Sequence, residues 1–141
     1  MLKILYVEDE IKADKNFLHQ KKDRVIILPT DEGSACIKLS DILYAEKLNS
    51  RLTRTVTRKR VFQKSYYPLR KLLDLLNDEM FTLSNKSCIV NVSNIEIVKP
   101  VSAKTWDIFF KDAAGIKCAL SYRYHGAVIK LLSEGGHENE S

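Results

Sequence analysis

Between Lys47 and Leu73 stand nine Lys or Arg residues and not one Asp or Glu. Inside that stretch Arg51, Leu52, Thr53, Arg54, Thr55, Val56, Thr57 and Arg58 follow one another. On a two-sided strand, Arg54 and Arg58 share one face with Leu52 and Val56, and Arg51 and Lys59 share the other with the threonines. The chemistry such residues can do is the binding of anions. Like charges in neighbouring positions repel, and nothing acidic in the segment offsets them. A partner with regularly spaced negative charge would, and nucleic-acid phosphate is the obvious candidate. Lys and Arg release its condensed counterions, and Ser and Thr hydroxyls donate to its oxygens. Lys86 after Leu83-Ser84-Asn85, and Arg123 between Tyr122 and Tyr124, add basic points beyond the strand.

Bond-making chemistry has little to work with. His19, His125 and His137 have no spacing that makes a ligand set, and no nucleophile elbow, metalloprotease helix motif or glycine-rich phosphate loop is present. Cys36, Cys88 and Cys118 are odd in number and outside any CxxC spacing, which argues against a zinc site and for a reducing compartment. All three lie in apolar surroundings and are expected to be buried structural thiols. The expectation is a protein that is not an enzyme and has no cofactor and no metal.

The elements that must position the basic residues are short. At 141 residues, with 45% hydrophobic and 29% charged side chains, the chain has the composition of a soluble globular domain with a core of its own. No apolar run approaches the ~20 residues of a membrane span. Residues 1–23 balance five basic against five acidic side chains, and the tail 133–141 is acidic. The middle, 24–132, carries 18 basic and 10 acidic residues, a net charge of +8. Apolar runs such as Val25-Ile26-Ile27-Leu28 and Ile42-Leu43-Tyr44-Ala45 are broken by polar turns, Thr30-Asp31-Glu32-Gly33 among them, and Arg58-Lys59-Arg60 reads as the turn of a hairpin. The exception follows Pro68, where Leu69, Leu72, Leu73 and Leu76 mark one face of a helix. Ser121 is expected to cap a last helix that ends at Gly135 and Gly136, before a disordered acidic tail. The pattern is that of a mostly-β domain.

The order of these pieces resembles the LytTR-type DNA-binding domain of bacterial transcription regulators. The likeness runs from about residue 24 to 132. It is carried by Leu39-Ser40-Asp41-Ile42-Leu43-Tyr44-Ala45-Glu46, the basic strand pair, and the leucine-rich helix. Residues 81–98 (FTLSNKSCIVNVSNIEIV) and the C-terminal CALSYRYHGAVIKLL complete it. The resemblance implies small antiparallel sheets stacked in a LytTR-like arrangement with one or two short helices. It also implies double-stranded DNA as partner, bound at paired direct-repeat sites, so a homodimer on DNA is compatible with it. Loops, not a recognition helix, would enter successive major grooves. The contacts it implies are Asn49, Ser50 and Arg51 after the first long strand, Asn85, Lys86 and Ser87 before the Ile89-Val90-Asn91 strand, and Tyr122 and Arg123 near the C-terminus. Arg51, Asn85 and Arg123 are suited to base readout, and Lys86 to phosphate. Arg54 and Arg58 are expected to touch phosphate. Many relatives carry Arg, His and Arg where this chain has Leu83, Asn85 and Lys86, which reduces the bidentate capacity of that loop. Asn91 is expected to serve the fold through side chain–backbone bonds.

The opening Met1-Leu2-Lys3-Ile4-Leu5-Tyr6-Val7-Glu8-Asp9-Glu10 resembles the first strand of a response-regulator receiver, with Glu8 and Asp9 at the acidic pair. No room is left for the phosphorylatable aspartate of a later strand, so no regulatory phosphate is expected. The expected location is the cytoplasm, with neither a membrane nor a small-molecule substrate as partner. Two other readings compete. One is a basic module docking on an acidic protein or anionic membrane without base readout. The other is RNA binding, weakened by the lack of aromatic residues among the charges of 51–60.

Overall fold

Alternation along each apolar run decides which side chains go inside. A computed structural model describes residues 24–76 and 80–140. In β1 (Val25–Thr30) Ile26, Leu28 and Thr30 point inward while Val25 and Ile27 face out. A two-residue turn returns the chain into β2 (Gly33–Lys38), with Gly33 at φ +122°, a conformation that costs other residues strain. Thr30 Oγ1 holds the turn, donating to Gly33 O at 2.7 Å and accepting from Glu32 N–H at 3.1 Å.

The next strands are β3 (Ile42–Lys47), β4 (Thr53–Thr57) and β5 (Val61–Ser65), followed by α1 (Leu69–Leu75), β6 (Phe81–Asn85) and β7 (Cys88–Asn91). Together with the first hairpin they form a seven-stranded antiparallel sheet in the order β2-β1-β5-β4-β3-β7-β6. A second antiparallel sheet has three strands, β8 (Ile95–Ser102), β9 (Thr105–Phe110) and β10 (Lys117–Ser121), in the order β10-β9-β8. Helix α2 spans Tyr122–Glu140. The mostly-β, stacked-sheet architecture expected from the sequence is the one observed.

β3 sits between β4 and β7, and its residues feed two cores. Ile42 and Ala45 join the cluster containing Ile26, Leu28, Leu72, Leu76 and Ile89, which buries the leucine face of α1. Leu43 and Tyr44 join the other, with Ile108, Phe110, Leu120 and Val128, which seats the three-stranded sheet and α2. Two buried asparagines stitch the layers. Asn91 Nδ2 donates to Leu39 O (3.2 Å) and Ile42 O (2.9 Å), and Asn94 Nδ2 to Ser40 O and Ile42 O (both 2.9 Å). The structural role expected of Asn91 is therefore observed.

Three local expectations need correction. Thr53, Thr55 and Thr57 do not stand beside the charges on an open face; all are buried. Thr53 and Thr55 hydroxyls meet Ser65 Oγ at 3.0 and 3.2 Å, and Thr57 Oγ1 donates to Arg60 O to shape the hairpin turn. A strand flanked by β3 and β5 can bury hydroxyls cheaply once they are bonded to each other. Helix α2 does not stop at the glycine pair but continues to Glu140. Glycine costs a helix about 1 kcal/mol without forbidding it. Cys36 is exposed, on the outward side of β2 where its neighbour Ile37 points in, whereas Cys88 and Cys118 are buried. Burial beside the Cys88 thiol pushes the Cys118 pKa up. The receiver-like segment 1–23 lies outside the described residues.

Candidate nucleic-acid interface

The basic residues separate into two groups according to what lies near them in space. Arg54 Nη2 bonds the Glu46 carboxylate from the neighbouring strand β3, and its Nε is buried without a partner. Arg58 donates to Asn94 Oδ1 and has Asp112 at 3.9 Å. Lys59 lies 3.6 Å from Asp41, and Arg60 bonds Glu32 at 2.6 Å while its guanidinium covers the Phe62 ring. Four of the nine cations in the basic segment are thus met by carboxylates from elsewhere in the chain. Arg54 and Arg58, expected on an open anion-binding face, sit instead in half-covered ion pairs.

The second group occupies loops. Asn49, Ser50 and Arg51 form the exposed β3–β4 loop. Asn49 Oδ1 accepts from Arg51 N–H (2.8 Å) and Leu52 N–H (2.9 Å), so this side chain builds the turn that presents Arg51. The β6–β7 turn lies at the same end of the sheet, since β3 and β7 are antiparallel and Lys47 N–H donates to Ser87 O at 2.8 Å. Its Asn85 is busy on both sides: Oδ1 accepts from Ser87 N–H (2.8 Å) and Nδ2 donates to Ala119 O (3.0 Å). One N–H and one lone pair of the amide remain available. Lys86, at the tip, is exposed.

The bond to Ala119 ties the β6–β7 turn to β10, just before the third contact point. Tyr122 and Arg123 open α2, Tyr122 being 68% exposed with its N–H bonded to Lys104 O at 2.9 Å. Arg123 is exposed too, its guanidinium 6.0 Å from the Tyr124 ring centre. Behind it His125 stacks on Trp106 at 3.9 Å, which gives this histidine a packing role. The three predicted loop groups are thus coupled, the first to the second through Lys47 and the second to the third through Asn85. Among the described residues, Arg51, Lys86 and Arg123 have no carboxylate within 4 Å. The arrangement offers forked and point cations free to meet an anion.

Among the described residues no group of His, Cys, Asp and Glu could hold a metal ion, and no helix is long and apolar enough to cross a membrane. Two cations beside these loops escaped the sequence reading as site residues. Lys47, at the end of β3, and Arg70, on α1, border a cleft that also touches Asn49, Ser50 and Lys86. No local pattern marks them, because they become neighbours only when α1 folds over the sheet.

The model of the LytTr DNA-binding domain matches residues 32–133 of this sequence. The chain belongs to the LytTR family. Among solved structures, this LytTR chain is similar to the LytTr DNA-binding domain of a response regulator from Bacillus cereus. The two share 24% identity and superpose with a TM-score of 0.63, over 77% of this chain and 95% of the other. That likeness is one of fold. No curated protein matches the sequence. The family is a DNA-binding domain.

Proposed function

We propose that this LytTR protein reads double-stranded DNA sequence-specifically and regulates transcription in a bacterial cytoplasm, acting by binding and not by catalysis. The observation that carries the reading is the convergence of three coupled loops that present Arg51, Lys86 and Arg123 without acidic partners. Loops of this size fit the major groove, where the four base pairs differ in donor and acceptor pattern. Arg51 and Arg123 take the part of forked donors to guanine. Lys86 meets phosphate, joined by the hydroxyls of Ser50, Ser87 and Tyr122. Asn49 and Asn85 hold the loops in shape, and Asn85 keeps one donor and one acceptor for a base edge. Arg54 and Arg58 belong to the framework, since Glu46, Asn94 and Asp112 already occupy them. Two copies on a direct repeat would place these loops in successive grooves.

The test is duplex binding by fluorescence anisotropy across a salt series, followed by selection from a randomised duplex pool. Expected are a log–log slope near −0.9 per phosphate contacted and one enriched motif. A steep slope with no enriched motif would remove sequence specificity from the reading. Absence of binding at low salt would replace it with docking on an acidic protein or anionic membrane.

A further inference from the structure

The cleft beside the first two loops has a volume of about 510 Å³ and combines two kinds of surface. Its rim carries Lys47, Arg70 and Lys86, drawn from β3, α1 and the β6–β7 turn. All three are exposed, and among the described residues none has a carboxylate within 4 Å. Its floor is apolar, formed by Leu69, Leu73 and Leu83. Leu69 and Leu73 belong to the same helical face that buries Leu72 and Leu76, so the floor is held by the core. Three cations around one open groove repel each other, and an anion brought from outside relieves this.

We infer that this cleft seats a stretch of DNA backbone, with Arg70 and Lys47 as phosphate contacts in addition to the reading loops. The inference rests on the DNA-binding reading above and extends its footprint to α1. A DNA strand alternates charged phosphates with largely apolar deoxyribose, which matches a cationic rim over a leucine floor. Position favours the same occupant. Asn49, Ser50 and Lys86 line the cleft and also belong to the reading loops, so the strand whose bases those loops face passes beside it. The backbone bond from Lys47 to Ser87 keeps two sides of the rim in register.

The decisive comparison measures anisotropy of the wild type, Arg70→Gln and Lys47→Gln on the selected duplex and on a scrambled one, from low to moderate salt. Each variant is expected to weaken both duplexes by the same factor and to make the salt slope shallower by about 0.9. Two results would overturn the inference while leaving DNA binding intact. One is a wild-type slope retained in both variants. The other is loss confined to the selected duplex, which would make the residue a base reader. A wild type that binds neither duplex would overturn the underlying DNA reading itself. Circular dichroism and thermal unfolding of the variants, expected unchanged for these exposed side chains, separate lost contact from lost fold.

Discussion

The β4–β5 hairpin and the loop edge are equally basic to the eye and differ in what surrounds them. Along the hairpin Arg54, Arg58, Lys59 and Arg60 each face a carboxylate or amide from another element: Glu46, Asn94 with Asp112, Asp41 and Glu32. On the loop edge, Lys47, Arg51, Arg70, Lys86 and Arg123 face none among the described residues. Exposed ion pairs add only about 0–1 kcal/mol to stability, so the pairing matters chiefly for the field. A paired charge is a dipole whose reach is short, whereas an unpaired one acts over a Debye length of about 10 Å at 0.1 M salt. Density of positive charge along a sequence is therefore a poor guide to the positive face of the fold. The partners that cancel it arrive from distant segments.

Four substitutions test that contrast. The largest effect is expected on the loop edge. Arg123→Ala should cost ~1–3 kcal/mol on the selected duplex and blur preference at one base position, read by anisotropy on a set of single-base variants. An equal loss on every duplex would reduce Arg123 to a phosphate contact. Next comes Asn85→Ala, which removes both bonds tying the second loop to its own turn and to Ala119. With about 1 kcal/mol net per bond, it should weaken the selected duplex by ~1–2 kcal/mol. Its amide exchange should quicken at Ser87, and unchanged exchange there would show that the loop is held by other means.

The hairpin should respond differently. Glu46→Gln leaves the Arg54 guanidinium half-covered with a weaker partner, and about 1 kcal/mol of stability should be lost in urea unfolding. If that variant instead binds DNA with a slope steeper by about 1, Arg54 is released to phosphate once unpaired, which sharpens the contrast. The smallest effect belongs to Arg60→Ala. Its charge is already met by Glu32, so affinity for DNA should change by less than about 0.5 kcal/mol and the salt slope not at all. A slope reduced by a full contact would erase the distinction between the two regions.

Much of the framework was legible in the residues. Alternation marked the strands, Thr30-Asp31-Glu32-Gly33 the first turn, and Arg58-Lys59-Arg60 the second. The leucine spacing after Pro68 marked α1 and its buried face. The three loop groups were legible only as a family pattern, and their closeness was not. Asn85 reaches a carbonyl 34 residues away, a bond no local signal announces. Period-two alternation also assigned Thr53, Thr55 and Thr57 to a face without saying whether it was open. Tertiary packing buried it, with Ser65 and the Tyr67 carbonyl meeting the hydroxyls of Thr53 and Thr55. Cys36 and Cys118 look alike in sequence and both lie on strands at a sheet edge, yet one faces out and the other is buried.

By itself the sequence determined the elements, their order and an excess of positive charge in residues 24–132, because propensity, periodicity and composition are local properties. Tertiary structure decided which of those charges remain free. Pairing is set by distances between segments far apart in the chain, and a few ångströms separate a neutralised arginine from one that can reach DNA.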